Sequence, residues 1–150
     1  MKQQAAFCDL VKDENNQITS WVCKNLHFKE TLADAHFTIG IRLKEKLVGG
    51  LIYHNIRPGR DLWWTIYTND KRWCSRRILQ QIFHLAFNVF KVKRISLLVT
   101  TDNDECINLV QRLGFKKEGL LRSYRDDGKD AYFYGMLATE NKWKGKNTNE

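Results

Sequence analysis

Four cations crowd one short stretch, Lys71, Arg72, Arg76 and Arg77, with Trp73, Cys74 and Ser75 between them. Directly after it, apolar residues fall at Ile78, Leu79, Ile82, Phe83, Ala86, Phe87 and Phe90, separated by Gln80, Gln81, His84 and Asn88. That spacing predicts an amphipathic helix of about four turns. A helix start carries N–H groups without intrahelical acceptors and about half a positive charge. A guanidinium holds a phosphate through two parallel hydrogen bonds. Dipole and cations therefore ask for the same ligand, an anion of the phosphate class. The plainer reading of the same residues is a solvated basic helix start.

A second informative segment runs Asn103-Asp-Glu-Cys106-Ile-Asn-Leu-Val110-Gln-Arg-Leu-Gly114-Phe115-Lys-Lys-Glu118-Gly119. Asp102 with Glu105 three residues on predicts a capping-box-like helix start. The helix it opens sets Cys106, Val110 and Leu113 on one side and stops at Gly114, a residue suited to the left-handed C-terminal position. Taken singly, Gly114 is explained by helix termination, Phe115 by core packing and Asn103 by a helix start.

The elements that must hold these segments are legible from Phe37 onward. Phe37 to Leu43 and Leu47 to Ile56 read as strands of a hairpin across Lys44-Glu45-Lys46, with Gly49 and Gly50 marking a bulge or a close backbone approach. Arg57-Pro58-Gly59-Arg60 is a turn, and Leu62 to Thr68, rich in Trp, Tyr, Ile and Thr, is a further strand. Arg94 to Thr101 is apolar on both faces, as a central or parallel strand should be. Leu120 to Tyr124 and Ala131 to Leu137 flank the hairpin signal Asp126-Asp127-Gly128. Before Phe37, Ala5 to Val11 reads as a short strand, and Ile18, Trp21, Val22 and Leu26 recur at helical spacing. A strand–helix–strand unit between antiparallel hairpins gives a mixed α/β sheet with helices packed on it and a right-handed crossover.

Composition narrows the class. A chain of 150 residues fits one domain, and a domain of that size buries about 70% of its unfolded surface without needing disulfides or a metal. The apolar runs are too short to span a bilayer, and no leader pattern is visible after Met-Lys-Gln-Gln. A cytoplasmic protein is the expectation. Cys8, Cys23, Cys74 and Cys106 show no C-x-x-C spacing and read as reduced thiols. His27, His36, His54 and His84 assemble no metal-ligand motif, so no metal is expected. The formal net charge of +8 and a pI near 9.4 attract a phosphorylated cofactor, an acidic substrate, nucleic acid or an anionic membrane, and charge alone does not choose.

The string from Asn103 to Gly119, with Leu-Leu-Arg122, the Asp-Asp-Gly turn and Tyr134-Gly135-Met136-Leu137 after it, resembles the closing motif of GNAT N-acetyltransferases. It is most similar to the subgroup of ribosomal-protein N-terminal acetyltransferases: an Asn, a short helix, Leu-Gly-Phe, then Glu-Gly and an Arg. The basic-Arg-Trp run from Asn69 to Trp73 is similar to small phage-type members. The resemblance covers about Phe37 to Trp143. It implies the GNAT fold over one domain, a twisted, mostly antiparallel sheet with a central parallel strand pair flanked by helices. The lysine- and asparagine-rich composition of the tail predicts fraying over residues 141–150.

The resemblance also implies a site. Its phosphate loop follows Arg/Gln-x-x-Gly-x-Gly/Ala, which falls here on Arg72-Trp73-Cys74-Ser75-Arg76-Arg77, so Ser75 and Arg77 replace the two small residues. Acetyl-CoA would bind there as co-substrate, with Asn103 also in contact. Its pantetheine arm would pair with the backbone of Ile66, Tyr67 and Thr68 where the third and fourth matched strands diverge. Backbone N–H groups near Tyr67 would hold the oxyanion, and a primary amine would attack directly in a ternary complex. An α-amine of pKa near 8 is roughly 10% neutral at pH 7 and a lysine only about 0.04%, so an N-terminal acceptor asks less of a base. His54 and Asp61 are the candidate bases, directly or through water; a hydrogen-bonded strand residue and a turn residue are their plainer readings. Trp63 and Trp64 are candidate walls of the acceptor pocket, or simply core. Many members supply a tyrosine acid four residues before the Gly-Phe glycine, and that position here is Val110.

A different class of protein fits the same residues: a catalytically silent GNAT-like module whose basic face contacts nucleic acid or an acidic protein. In a third arrangement coenzyme A binds and a partner protein supplies the acceptor.

Overall fold

A computed structural model describes residues 8–27 and 36–145. Its elements in chain order are β1 (Cys8–Lys12), α1 (Gln17–Asn25), β2 (Phe37–Leu43), β3 (Lys46–Arg57), β4 (Asp61–Thr68), α2 (Arg76–His84), β5 (Arg94–Thr100), α3 (Asp104–Leu113), β6 (Lys116–Leu121) and β7 (Ala131–Leu137). The strands form one mixed sheet in the order β1-β2-β3-β4-β5-β7-β6. β4 runs parallel to β5 with Asp61, Leu62 and Trp63 opposite Arg94, Ile95 and Ser96. The β1/β2, β2/β3, β5/β7 and β6/β7 pairs are antiparallel. This is the mixed α/β architecture expected of the sequence, with its central parallel pair and flanking helices.

The described residues fall into two compact units, one up to residue 56 with 64–82, the other 57–63 with 83 onward. In the first, α1 lays Val22 and Cys23 against Ile52 of β3, with Ile18, Trp21, Leu26 and Tyr67 around them. The helix comes so close that a Cβ on Gly50 would run into Val22 and Ile18, which is why a glycine stands at this position. On the opposite side of β3, Tyr53 meets Trp64 edge to face with ring centroids 5.8 Å apart, and its hydroxyl donates to the Ile82 carbonyl of α2 at 2.7 Å. The β2/β3 turn sets both Lys44 (φ 51°) and Glu45 (φ 66°) left-handed, the twist that a two-residue hairpin loop needs.

In the second unit Ile95, Leu97 and Val99 of β5, Tyr134 and Met136 of β7, and Val110 and Leu113 of α3 are all buried. Each such aliphatic side chain contributes on the order of 1.5–3 kcal/mol. The helical run opened by α2 continues as a π-helical stretch over Leu85–Val89, completing the four turns expected. Phe115 packs on Phe83 with centroids 6.3 Å apart.

The structure corrects two expectations, on the cap of α3 and the bounds of β6, and adds contacts in the tail. α3 is capped by Asn103, whose side-chain oxygen accepts from the Cys106 N–H at 3.2 Å, and Asp102 pairs instead with Lys129 at 2.6 Å. The shift follows from geometry: the cap acceptor must sit three residues before the N–H it serves. β6 begins at Lys116 and ends at Leu121, earlier than its apolar residues suggested. All six of its residues are exposed, so no hydrophobic alternation announces it. Of the tail expected to fray, Asn141 is buried, and the Trp143 indole N–H donates to the Leu113 carbonyl at 2.8 Å. The first residues of the early strand, 5–7, and the last of the tail, 146–150, lie outside the described residues.

Candidate functional site

The basic stretch folds as a single 3₁₀ turn, Lys71–Trp73, leading into α2. Trp73 is buried to 2% exposure and anchors the turn, leaving its neighbours Lys71 and Arg72 at the surface. Ser75 caps α2: its carbonyl accepts from Leu79 N–H at 3.0 Å, and its hydroxyl from Ile78 N–H at 3.2 Å. The Arg77 N–H, in the first turn, has no acceptor among the described residues. Its first turn holds no acidic residue. The α2 start thus combines an N–H without an acceptor, the positive end of a dipole and three exposed arginines close in sequence, groups of the kind that hold phosphate.

The cations are not equivalent. Arg72 folds back on Asp70, whose carboxylate accepts from the Arg72 backbone N–H at 2.9 Å, from Nε at 3.0 Å and from a terminal nitrogen at 2.7 Å. These bonds hold the Asp70 carboxyl down at about 2. A guanidinium has five N–H donors, two are spent here, and the Arg72 side chain stays 67% exposed. Arg77 instead donates to the Cys8 carbonyl of β1 at 3.1 Å. In return the Cys8 thiol donates to the Arg72 carbonyl at 3.5 Å, and burial is the main cause that raises its pKa. Sequence reasoning missed Asp70, although an aspartate two residues before an arginine is a recognisable Asx-turn signal.

The other singled-out residues are placed as follows. Ile66, Tyr67 and Thr68 form the last residues of β4, in the same unit as the α2 start. Tyr67 stacks edge to face on Trp21, centroids 5.2 Å apart. Cys74 lies half-buried between the turn and the cap. His54 shares a 2.8 Å hydrogen bond with the Thr65 hydroxyl across the β3/β4 pair, and burial lowers its pKa from the usual histidine value. Asp61 accepts from Arg57 Nε. Trp64 is buried against Tyr53, a core position. Trp63, on the alternate face of β4, meets Phe133 edge to face at 5.2 Å. His54 belongs to the first unit, Asp61 and Asn103 to the second.

The Asn103–Gly119 string supplies several packing and capping contacts. Asn103 spends its side-chain oxygen on the cap. Gly114 closes α3 at φ 111°, a value that disfavours any side chain. Leu113 and Phe115 are buried. Glu118 sits at a bulge in the β6/β7 register and forms a bidentate pair with Arg94, which also donates to Ser96 at 2.8 Å. Val110, where many GNAT members carry tyrosine, is buried and apolar. Among the described residues no three His, Cys, Asp or Glu side chains gather as metal ligands.

The acetyltransferase (GNAT) family model matches residues 5–115. The chain belongs to this family. A stretch of 55 residues is 38% identical to an N-alpha-acetyltransferase of Sulfurisphaera tokodaii, covering 37% of this chain and 33% of that protein; the match therefore spans about one third of that relative's length. Among solved structures, mutant forms of the spermidine/spermine N-acetyltransferase SpeG of Vibrio cholerae superpose with a TM-score of 0.67 at 16% identity, over 88% of this chain and 94% of that one. A dodecameric structure of spermidine N-acetyltransferase from the same organism gives 0.69 at 15% identity, over 87% and 93%. At such identities the likeness establishes the GNAT fold.

Proposed function

We propose that this GNAT chain is an acetyl-CoA-dependent N-acetyltransferase, acting as one domain, that moves an acetyl group directly to a primary amine. The observation that carries the reading is the start of α2, where an N–H without an acceptor falls within a run holding the exposed Arg72, Arg76 and Arg77, in a member of this family. A diphosphate fits that chemistry: the Arg77 N–H and the open donors of Arg72 are joined there by Arg76. The side chains of Ser75 and Arg77 stand where small residues would let phosphate approach the backbone, so charge takes over part of that task. Acetyl-CoA supplies the thioester. Ile66 to Thr68 would pair with its arm, and the Tyr67 N–H would polarise the reacting carbonyl.

Of the two candidate bases, His54 suits the task better. Burial keeps its imidazole neutral near pH 7, as a proton acceptor must be, whereas Asp61 is committed to Arg57. Val110 offers no proton, so the departing thiolate takes its proton from solvent. The missing tyrosine and the N-alpha-acetyltransferase relative favour an α-amine acceptor, in keeping with the ribosomal-protein and phage-type subgroups. We place the protein in the cytoplasm; among the described residues no helix is long and apolar enough to cross a membrane.

Thiol release from acetyl-CoA across a panel of peptides with free α-amines, blocked peptides bearing lysine, and polyamines tests the reading. Turnover with free α-amines supports it; no turnover with any amine and no acetyl-CoA binding sinks it. The silent-module reading draws on one observation, the engagement of Arg72 by Asp70 and of Arg77 by Cys8. Acetyl-CoA binding without turnover on the panel would favour the arrangement in which a partner supplies the acceptor.

A further inference from the structure

The proposed transfer does not use the cations at the other end of β4. There the turn 57–60 and the loop 90–93 are stitched together by backbone hydrogen bonds, Gly59 N–H to the Phe90 carbonyl at 3.1 Å and Lys93 N–H to the Arg60 carbonyl at 2.9 Å. A third bond, Ala138 N–H to the Lys93 carbonyl at 2.9 Å, ties the same loop to the end of β7. The stitching brings Arg57, Arg60, Lys91 and Lys93, all exposed, onto one backbone-fixed surface. Nearby carboxylates are already engaged: Asp61 by Arg57, Glu118 by Arg94 and Glu140 by Lys116. Among the described residues Arg60, Lys91 and Lys93 have no carboxylate within ion-pair distance.

We propose that this surface, Arg57-Pro58-Gly59-Arg60 joined to Lys91 and Lys93, docks the phosphodiester backbone of a nucleic acid. Three exposed cations without a carboxylate partner, Arg60, Lys91 and Lys93, beside the Asp61-paired Arg57, suit a partner that is itself a regular row of single negative charges. A membrane would ask for an apolar wedge, and the large apolar side chains exposed beside this surface are Val89 and, at the end of β7, Leu137, too few to make one. An acidic polypeptide would ask for an apolar centre within the charged rim, which four cations around a proline–glycine turn do not supply. The chain's formal charge of +8 adds long-range attraction to the local surface.

The experiment measures binding of the full chain to a fluorescein-labelled 20-base-pair duplex, as RNA and as DNA, by anisotropy across salt. Three phosphate contacts, from Arg60, Lys91 and Lys93, predict a log–log slope of about −2.7, roughly a 40-fold weakening between 50 and 200 mM salt. Arg60→Glu/Lys93→Glu should weaken binding at least ~10-fold at low salt and flatten the slope by about 2, while acetyl-CoA binding stays unchanged. Should that variant fold poorly by circular dichroism, Arg60→Ala/Lys91→Ala serves with a smaller expected loss. Unchanged affinity in the folded variants overturns the proposal. So does equally tight binding of poly-glutamate or of anionic vesicles, or an equal loss from Arg76→Ala/Arg77→Ala at the α2 start. Loss of acetyl-CoA binding in the parent protein with duplex binding intact would count against the transferase reading only.

Discussion

The helices that precede and follow β5 in the chain, α2 and α3, start in opposite ways. α3 opens on Asn103 with Asp104 and Glu105 in its first turn, negative charge set against the positive end of its own dipole. α2 opens on Ser75 with Arg76 and Arg77 and no acidic residue in its first turn, positive charge set against positive. The first start is electrically complete. The second sets like charges together, an arrangement that the proposed diphosphate would relieve.

The largest expected effect breaks the complete helix. Leu113→Ala empties a buried position and should cost about 2–5 kcal/mol in urea denaturation, yet leave acetyl-CoA affinity per folded molecule intact. Next comes the incomplete one. Arg72→Ala/Arg76→Ala removes charge-assisted bonds worth about 1.5–3 kcal/mol each to a phosphate, so calorimetry should show acetyl-CoA binding weakened about 100-fold or more, with the melting temperature lowered only by the small loss of the exposed Asp70–Arg72 pair. A loss of stability in its place would erase the contrast drawn here. Asn103→Ala should cost about 1 kcal/mol from the lost cap, read by thermal unfolding, and leave affinity nearly unmoved.

The smallest effect is a matter of pH. Asp70 has its folded pKa lowered from 3.8 to about 2, chiefly by its hydrogen bond to Arg72. A depressed carboxyl contributes stability that is present above its unfolded pKa and lost as pH falls through the folded one. Asp70→Asn should therefore be slightly less stable than the parent above about pH 4, with the gap closing toward pH 2. A gap that widens on acidification would reverse the assignment of the pair.

Periodicity made most of the scaffold legible. β2 was readable to the residue because Phe37, Ile39, Ile41 and Leu43 alternate. The long helix and the central β5 announced themselves by apolar spacing in the same way. β6 was misplaced because a strand exposed on both faces has no apolar rhythm to read. The site was legible in position and only in part in wiring. Spacing located the arginines around the start of α2, and the Asx-turn signal could have given Asp70 as the partner of Arg72, but no local pattern implies that Arg77 reaches a carbonyl of β1. The string that pointed most clearly to the family, Leu113-Gly114-Phe115 with Asn103 before and Glu118 after, supplies packing and capping contacts.

The bulge at Glu118 has a consequence for the molecule in crowded solution. β6 is the last strand of its sheet, and an unbroken outer backbone there would be a template on which further chains could stack into fibrils. One surplus residue breaks the hydrogen-bonding rhythm, while Lys116 and Lys117 ahead of it bring charge that a stacked copy would have to bury beside its own. The kink that presents a carboxylate to Arg94 also keeps this sheet from growing.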